Sequence, residues 1–192
     1  MRKYTFIIIA ILALSCNNSK KSNIENEKVV KKELRPFFDS DEIDHYYLNF
    51  SEDDFFKLGR AKKTSKEEEE LFKIFVYDFP DSIPKDDFGK TLLKHHYIKS
   101  NLSLQQQKKI ENIFTEKDSL QHDACASIAE YKDIFIFKKN RKTVGIAKIC
   151  FKNGRFQIVN SKAATEDFGH WTELDKLQKI VRPESYSILV TD

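Results

Sequence analysis

Residues 131–161 constrain the fold more than any other part of this 192-residue chain. Three extended, apolar segments alternate there with polar turns, and they cover residues 133–137, 143–151 and 156–159. Residues 139–142 form the first predicted turn. The second contains Asn153-Gly154, and an Asn-Gly pair supplies the positive φ angles that a tight hairpin requires. The pattern therefore predicts a three-stranded antiparallel meander.

Capping patterns mark the beginnings of two helices. Ser65 and Glu68 have the spacing of a capping box, and Ser103 and Gln106 repeat it. The first helix is expected to continue until Pro80, which lacks the amide hydrogen that a helix interior uses. The second is expected to bury Leu104, Ile110, Ile113 and Phe114. Apolar spacing and turn residues predict further helices at 51–59, 88–96 and 171–181.

These elements together predict an α+β domain, with helices packed on an antiparallel sheet that contains the three-stranded meander. Strand-favouring residues at 43–50 add a strand, and residues 188–190 are expected to form an edge strand. The polar composition of residues 17–36 is typical of a linker. Residues 37–192 are therefore expected to fold as a single globular domain.

The N-terminus has a short positive start, an apolar run and a cysteine. The run is too short to span a bilayer, and with Arg2 and Lys3 before it the segment is typical of a secretory signal. Residues 12–16, Leu-Ala-Leu-Ser-Cys, resemble a bacterial lipoprotein signal. The resemblance implies a signal peptide over 1–15 and lipidation of Cys16 with acyl chains such as palmitate. The alternative is an ordinary secretory signal that leaves Cys16 as a free thiol.

The segment after the cysteine indicates where the protein is held. Acyl chains on Cys16 would hold the chain on a membrane, and residues 17–36 would act as a flexible tether about 25 Å long on average. Asn17 stands where inner-membrane lipoproteins carry aspartate, and no acidic cluster resembling a surface-export signal follows it. The resemblance to outer-membrane lipoproteins implies attachment to the periplasmic face of the outer membrane.

The charge balance argues against one class of partner. The chain has 33 basic and 30 acidic side chains, and Arg2 and Lys3 leave with the signal peptide. The mature chain therefore keeps 31 basic side chains against 30 acidic ones. A nucleic-acid partner would need a strongly basic face to displace counterions from phosphates. No nucleic-acid partner is expected.

Cys125 and Cys150 are the two cysteines that remain besides Cys16. In an oxidising envelope compartment such a pair is most simply a disulfide, and closing this loop of about 25 residues would contribute about 3.5 kcal/mol. The alternative is two buried thiols. The sequence has no Cys-x-x-Cys pair, so a redox role is not expected.

Histidines offer weak candidates for chemistry. Zinc could in principle gather His95, His96, His122, Cys125 and Cys150. Adjacent histidines on a helix point about 100° apart, however, so the spacing supports no metal site. His170 with Asp167 and Ser161 is a nominal hydrolytic set, but no nucleophile-elbow or Ser-x-x-Lys motif accompanies it. No catalytic residue, metal or cofactor is expected.

Two short segments resemble a modification signal. Asp81-Ser82-Ile83 and Asp118-Ser119-Leu120 resemble the three-residue acceptor of O-glycosylation in Bacteroidota. The resemblance implies modification of Ser82 and Ser119. Asp-Ser pairs are also common in turns, where the side chains bond to nearby backbone groups.

About a quarter of the chain carries a family resemblance. Its residues are Cys125-x5-Tyr131-Lys132-Asp133-Ile134, the run from Gly145 to Phe151, and Phe168-Gly169. They resemble small uncharacterised Bacteroidota lipoproteins. The resemblance implies membership of that group and assigns no activity.

The functional expectation follows from the anchor and from the lack of reactive motifs. A tethered domain gains function by being held near its partners, so we expect a non-catalytic binding or assembly role with an envelope protein partner. The alternative is an immunity or inhibitor lipoprotein directed at a toxin or lytic enzyme. A hydrolase is the third hypothesis.

Overall fold

The computed structural model describes residues 33–60, 65–117 and 127–183. The chain divides into two compact units, residues 1–33 and 34–192, and only the second has more than one described residue. Several predicted features lie outside the described residues. They are the signal peptide, Cys16, Ser119, His122, Cys125 and the edge strand at 188–190.

The described part of the chain contains five strands and five helices. In chain order these are β1 (Glu42–Tyr47), α1 (Glu52–Arg60), α2 (Lys66–Val76), α3 (Phe88–Lys94), β2 (Ile98–Ser100), α4 (Leu104–Ile113), β3 (Asp133–Lys139), β4 (Lys142–Cys150), β5 (Arg155–Val159) and α5 (Trp171–Val181). The strands form one antiparallel sheet in the order β2-β1-β3-β4-β5. The predicted α+β class and the meander of β3, β4 and β5 are confirmed.

The register places β1 against the outer side of the meander. Tyr47 lies opposite Asp133 of β3, and on its other side Tyr47 lies opposite Ile98 of β2. The three residues of β2 are too few for a recognisable alternation, so the sequence did not predict this strand. Because β1 pairs with β3, the segment containing α1 to α4 connects two neighbouring strands.

Both faces of the sheet are covered by helices. Alternate residues of β3 point to opposite faces, so Phe135 and Phe137 pack on α4 and α5, whereas Ile134 and Ile136 pack on α2 and α3. The first core also includes Phe37, Phe38, Ile110, Phe114, Phe168, Leu174 and Leu177. The second includes Tyr46, Ile74, Phe75, Phe88, Leu92 and Tyr97. No helix in the described ranges has the length and apolar character needed to cross a bilayer.

The tight turn of the meander is the first one, between β3 and β4, and not the Asn-Gly turn for which it was predicted. The tight turn is Asn140-Arg141, where both residues have positive φ, 49° and 64°. Asn153-Gly154 instead ends a four-residue loop, in which Gly154 (φ 72°) donates its N–H to the Cys150 carbonyl at 3.0 Å. The side chain of Asn153 is buried because it bonds to the neighbouring segment at Ser127 and Ile128. The prediction of a tight Asn-Gly hairpin was therefore wrong.

Several helix ends also differ from the predictions. The capping boxes at Ser65 and Ser103 are both formed. The first helix ends at Val76 rather than Phe79, because Tyr77 has extended backbone with φ −100° and ψ 166°. α1 continues through Gly59 to Arg60.

The C-terminal end of α3 and the start of α4 show two further differences. α3 ends at Lys94, two residues before His96, whose φ is 65°. On α4, Leu104 is 78% exposed rather than buried.

Two glycines make a matched test of packing. A methyl group at position 145 would lie 2.1 Å from the ring of Phe38, whereas no other group lies within 4 Å of one at position 59 in α1. Gly145→Ala is expected to lower the free energy of unfolding by about 2 kcal/mol through overpacking. Gly59→Ala should raise the free energy of unfolding by about 0.5–1 kcal/mol, because alanine has a higher helix propensity than glycine. Urea unfolding of both variants checks this, and effects of the same sign would contradict it.

Candidate functional site

A groove of about 340 Å³ opens between α1, α2 and the segment before β3. Its lining is mostly apolar: Phe55, Phe72, Val76, Tyr77, Ile128 and Ala129, together with Asp78 and Arg155. Two lining residues are large and well exposed, Tyr77 at 56% and Ile128 at 62%. The groove therefore presents apolar surface to solvent beside one acidic and one basic side chain.

The end of α2 creates one wall of this groove. Where the helix stops at Val76, the extended backbone of Tyr77 turns the tyrosine ring outward, and the ring lies 5.6 Å from that of Phe72. Side chains of β4 and β5 donate hydrogen bonds to the backbone carbonyls of the segment 77–80 that follows. Lys148 of β4 donates to the carbonyls of Tyr77 (2.5 Å) and Phe79 (2.8 Å), and Gln157 of β5 donates to that of Pro80 (2.7 Å).

Lys148 is the most unusual group near the groove because it has no exposed surface. Burial lowers the pKa of its ammonium group to about 7, since the charged form loses its hydration. A neutral amine has two hydrogens, which match the two carbonyls that it reaches. Its nitrogen also lies 4.2 Å from the centre of the Tyr131 ring, and the Tyr131 hydroxyl donates to Asp78 at 2.8 Å. Lys148 and its partners thus fix the groove wall to the sheet.

Lys148→Met is expected to change how stability depends on pH. The unfolded chain keeps the lysine proton up to pH 10.5, whereas the folded chain releases it near pH 7, so in this window the unfolded state binds more protons. The wild-type free energy of unfolding, relative to the variant, should therefore rise by about 1.4 kcal/mol per pH unit from about pH 7 to about pH 9. Below about pH 6 the difference should be constant.

Urea unfolding across this pH range measures the effect. Lys66→Met is the control, because Lys66 is exposed at the start of α2. Its difference from the wild type should not vary with pH. Parallel pH profiles for wild type and Lys148→Met would show that the buried amine keeps its proton.

The opposite wall of the groove is held by the loop between β4 and β5. Asn153 donates to the Ser127 hydroxyl and the Ile128 carbonyl, both at 2.8 Å, and Arg155 donates to the Ser127 carbonyl at 3.2 Å. Cys150 is buried, and its sulfur accepts from the Glu130 amide at 3.4 Å. Cys150 forms no disulfide with another described residue, and a bond to Cys125 stays a prediction.

A second polar constellation lies inside the domain, at the join of three strands. His45 of β1 bonds through Nδ1 to the Ser100 hydroxyl of β2 at 2.9 Å and through Nε2 to Asp133 of β3 at 3.1 Å. Arg182, just after α5, pairs with the other oxygen of Asp133 and lies over the Tyr47 ring at 4.0 Å. We name Ser100, His45, Asp133 and Arg182 the buried network.

The buried network has the order hydroxyl, imidazole, carboxylate that hydrolytic triads use. His45 is only 1% exposed, however, and its ring lies 4.7 Å from that of Phe135, so the imidazole is shielded from solvent. Asp133 is also shared with Arg182. The network therefore satisfies buried polar groups and joins β2, β1, β3 and the end of α5.

A small cavity of about 210 Å³ adjoins the network. Asp133, Arg182, Glu130, Lys132, Lys152, Phe151 and Gln178 line it. Its charged groups are already paired: Lys152 bonds to Glu52 and Glu130, and Lys132 donates to the Phe50 carbonyl at 2.6 Å. Lys152 and Lys132, which line this cavity, are therefore bonded to other groups of the same domain.

Two of the histidines singled out from the sequence, His95 and His170, have local partners. His95 is buried and bonds to Glu70 at 2.8 Å. His170 is the N-cap of α5, where its ring bonds to the Thr172 hydroxyl at 2.9 Å. The Ser161 hydroxyl bonds to the backbone of Ala163. Within the described ranges, no three His, Cys, Asp or Glu side chains gather in a group that could hold a metal ion.

Of the two predicted glycosylation positions, one is described. Ser82 is exposed, and its hydroxyl donates to the Asp81 carboxylate at 3.0 Å. Its modification stays a prediction.

Sequence reasoning missed the groove and the buried network. The groove residues come from four separate segments, and none has a motif. The only sign of the network was a polar residue, His45, in the middle of a strand-favouring run. That sign does not reveal which partners meet it.

The fold and the groove define a class of protein: an α+β domain with helices on both faces of an antiparallel sheet and an open apolar groove at one end of the meander. Comparison with known proteins adds no relative, because no family model, curated protein or solved structure matches this chain.

Proposed function

We propose that the protein is a lipid-anchored envelope protein of the periplasmic face of the outer membrane, and that it binds a protein partner without catalysing a reaction. The binding role is proposed because an exposed apolar groove lies between α1, α2 and residues 127–130. The anchor is proposed from the sequence around Cys16.

The composition of the groove fits a protein partner. Contiguous apolar surface on a folded domain commonly marks an interaction site. Tyrosine, phenylalanine and arginine are enriched at protein interfaces, and the groove combines Phe55, Phe72, Tyr77 and Arg155. Its volume is at the small end of binding pockets, which suits one or two apolar side chains of a partner segment.

The walls of the groove also reduce the cost of binding. Lys148 and Gln157 hold one wall, and Asn153 holds the other, so little backbone has to be ordered when a partner binds. A lipid anchor would add to this by raising the local concentration of the domain near partners in the same envelope layer.

Site-specific photo-crosslinking in cells tests the proposal. A benzophenone amino acid placed at Tyr77 or Ile128 is expected to form adducts with one partner, and the same group at Leu104 is not. Leu104 is a suitable control because it is also exposed but lies on α4, across the sheet from the groove. Phe72→Glu, which places a charge in the groove, should remove the adducts at Tyr77.

Equal adducts at all three positions, or adducts that survive Phe72→Glu, would contradict a binding role for the groove. A Cys16→Ala arm separates the classes of partner. Adducts that require Cys16 support an accessory role in a membrane assembly. A single secreted toxin or lytic enzyme captured by both forms would support the immunity or inhibitor class.

A further inference from the structure

Arg35, at the start of the described domain, is held by Glu116, and we name this pair the clamp. Arg35 bonds to both carboxylate oxygens of Glu116, at 2.6 and 3.1 Å, and the Glu116 amide donates back to the Arg35 carbonyl at 2.9 Å. Ala164, beyond β5, also donates to Glu116 at 3.3 Å. The guanidinium of Arg35 holds the pKa of Glu116 at about 2. The chain therefore leaves the domain at this clamp.

The first residues after the clamp run along the tip of the β3–β4 hairpin. Asp39 pairs with Lys139 at 3.0 Å and with Lys162 at 3.9 Å. Asp41 accepts from the Asn140 amide at 3.0 Å. Residues 39–41 and the hairpin tip are therefore neighbours at one end of the domain.

Basic side chains predominate at this tip. We name Lys139, Arg141, Lys142 and Lys162 the basic tip. Asp39, Asp41 and Glu111 lie near Lys139 and offset only part of the charge of the basic tip. Arg141 and Lys142 are exposed and form no ion pair with another described residue. In the sequence, residues 17–36 contain six basic and three acidic side chains.

We propose that the basic tip rests on the anionic surface of the bilayer to which the protein is tethered. The inference rests on the proposed membrane anchor, and it follows from two observations. Residues 39–41, which follow the clamp in the chain, lie beside the tip. The exposed Arg141 and Lys142, which form no ion pair with another described residue, complement phosphate headgroups. Each basic side chain near an anionic membrane contributes about 1 kcal/mol.

This docking would set the direction of the groove. Arg155, which lines the groove, lies opposite Cys150 at the far end of β4, whereas the basic tip is at the beginning of that strand. Nine residues of β4 separate the two ends by about 26 Å. A domain that rests on its basic tip presents the groove away from the bilayer.

Vesicle sedimentation tests the docking without the lipid anchor. The mature chain, residues 16–192 with Cys16→Ser, is mixed with vesicles of phosphatidylglycerol and phosphatidylcholine, or of phosphatidylcholine alone. Binding should require phosphatidylglycerol and weaken with salt. Arg141→Glu with Lys142→Glu should lower the partition coefficient at least about 25-fold.

The matched control is Lys57→Glu with Lys66→Glu, which changes the net charge equally on exposed positions of α1 and α2. This pair should keep binding within about twofold of the wild type, because α1 and α2 line the groove, which lies at the other end of β4 from the tip. Equal losses in both double variants, or equal binding to the two kinds of vesicle, would overturn the proposal. Neither result bears on the groove, which the crosslinking experiment tests separately.

Discussion

Phe114→Ala is expected to lower the free energy of unfolding by about 4 kcal/mol. Phe114 closes α4 and is 1% exposed, and its ring lies 5.0 Å from those of both Phe137 and Phe168. The rings of Phe37, Phe38 and Phe135 lie 6.4, 6.5 and 5.6 Å from that of Phe114. Removing a ring from the middle of such a cluster loses both its burial and its contacts, and surrounding rings fill the cavity poorly.

Urea unfolding monitored by circular dichroism measures this loss. Leu104→Ala on the same helix is the control, because Leu104 is largely exposed and its truncation should cost less than about 0.5 kcal/mol. A similar midpoint shift for the two variants would show that the aromatic cluster does not hold α4 on the sheet.

Asp133→Ala is expected to cost about 3 kcal/mol, the second largest effect. The substitution leaves His45 Nε2 without its partner in a fully buried position and leaves Arg182 without its carboxylate. Because Arg182 is partly exposed, water recovers some of the loss at that group, so we expect a value at the low end for broken buried pairs.

The readout is again the urea midpoint, with amide hydrogen exchange of α5 as a second measurement. Glu69→Ala removes the exposed pair between Glu69 and Lys73 on α2, and it should cost less than about 0.5 kcal/mol. If Asp133→Ala destabilises no more than Glu69→Ala, the buried network does not join α5 to the strands. Faster exchange in α5 is expected only for Asp133→Ala.

Elements specified by nearby residues were predicted well from the sequence. The capping boxes at Ser65 and Ser103 involve residues three positions apart, and α5 has the predicted bounds because its apolar spacing lies within one helix. The meander strands were found because each is a short apolar run between polar turns. These features depend on interactions within about ten residues of sequence.

Features that depend on distant partners were predicted poorly. Asn153 does not form the tight turn because its side chain bonds to Ser127 and Ile128, some 25 positions earlier. Likewise α2 ends early at the point where Lys148, about 70 positions later in the chain, donates hydrogen bonds to the carbonyls of Tyr77 and Phe79. The backbone departs from its local conformational preference in both places because a buried donor must have a hydrogen-bond acceptor.

The sequence by itself determined the helix starts, the meander and the expectation of a lipid anchor at Cys16. Only the tertiary structure decided that β1 pairs with β3, that the walls of the groove meet, and that His45 meets Asp133. The physical reason is that propensity and capping act between neighbours along the chain. Burial and the satisfaction of polar groups act between residues that are close only after folding.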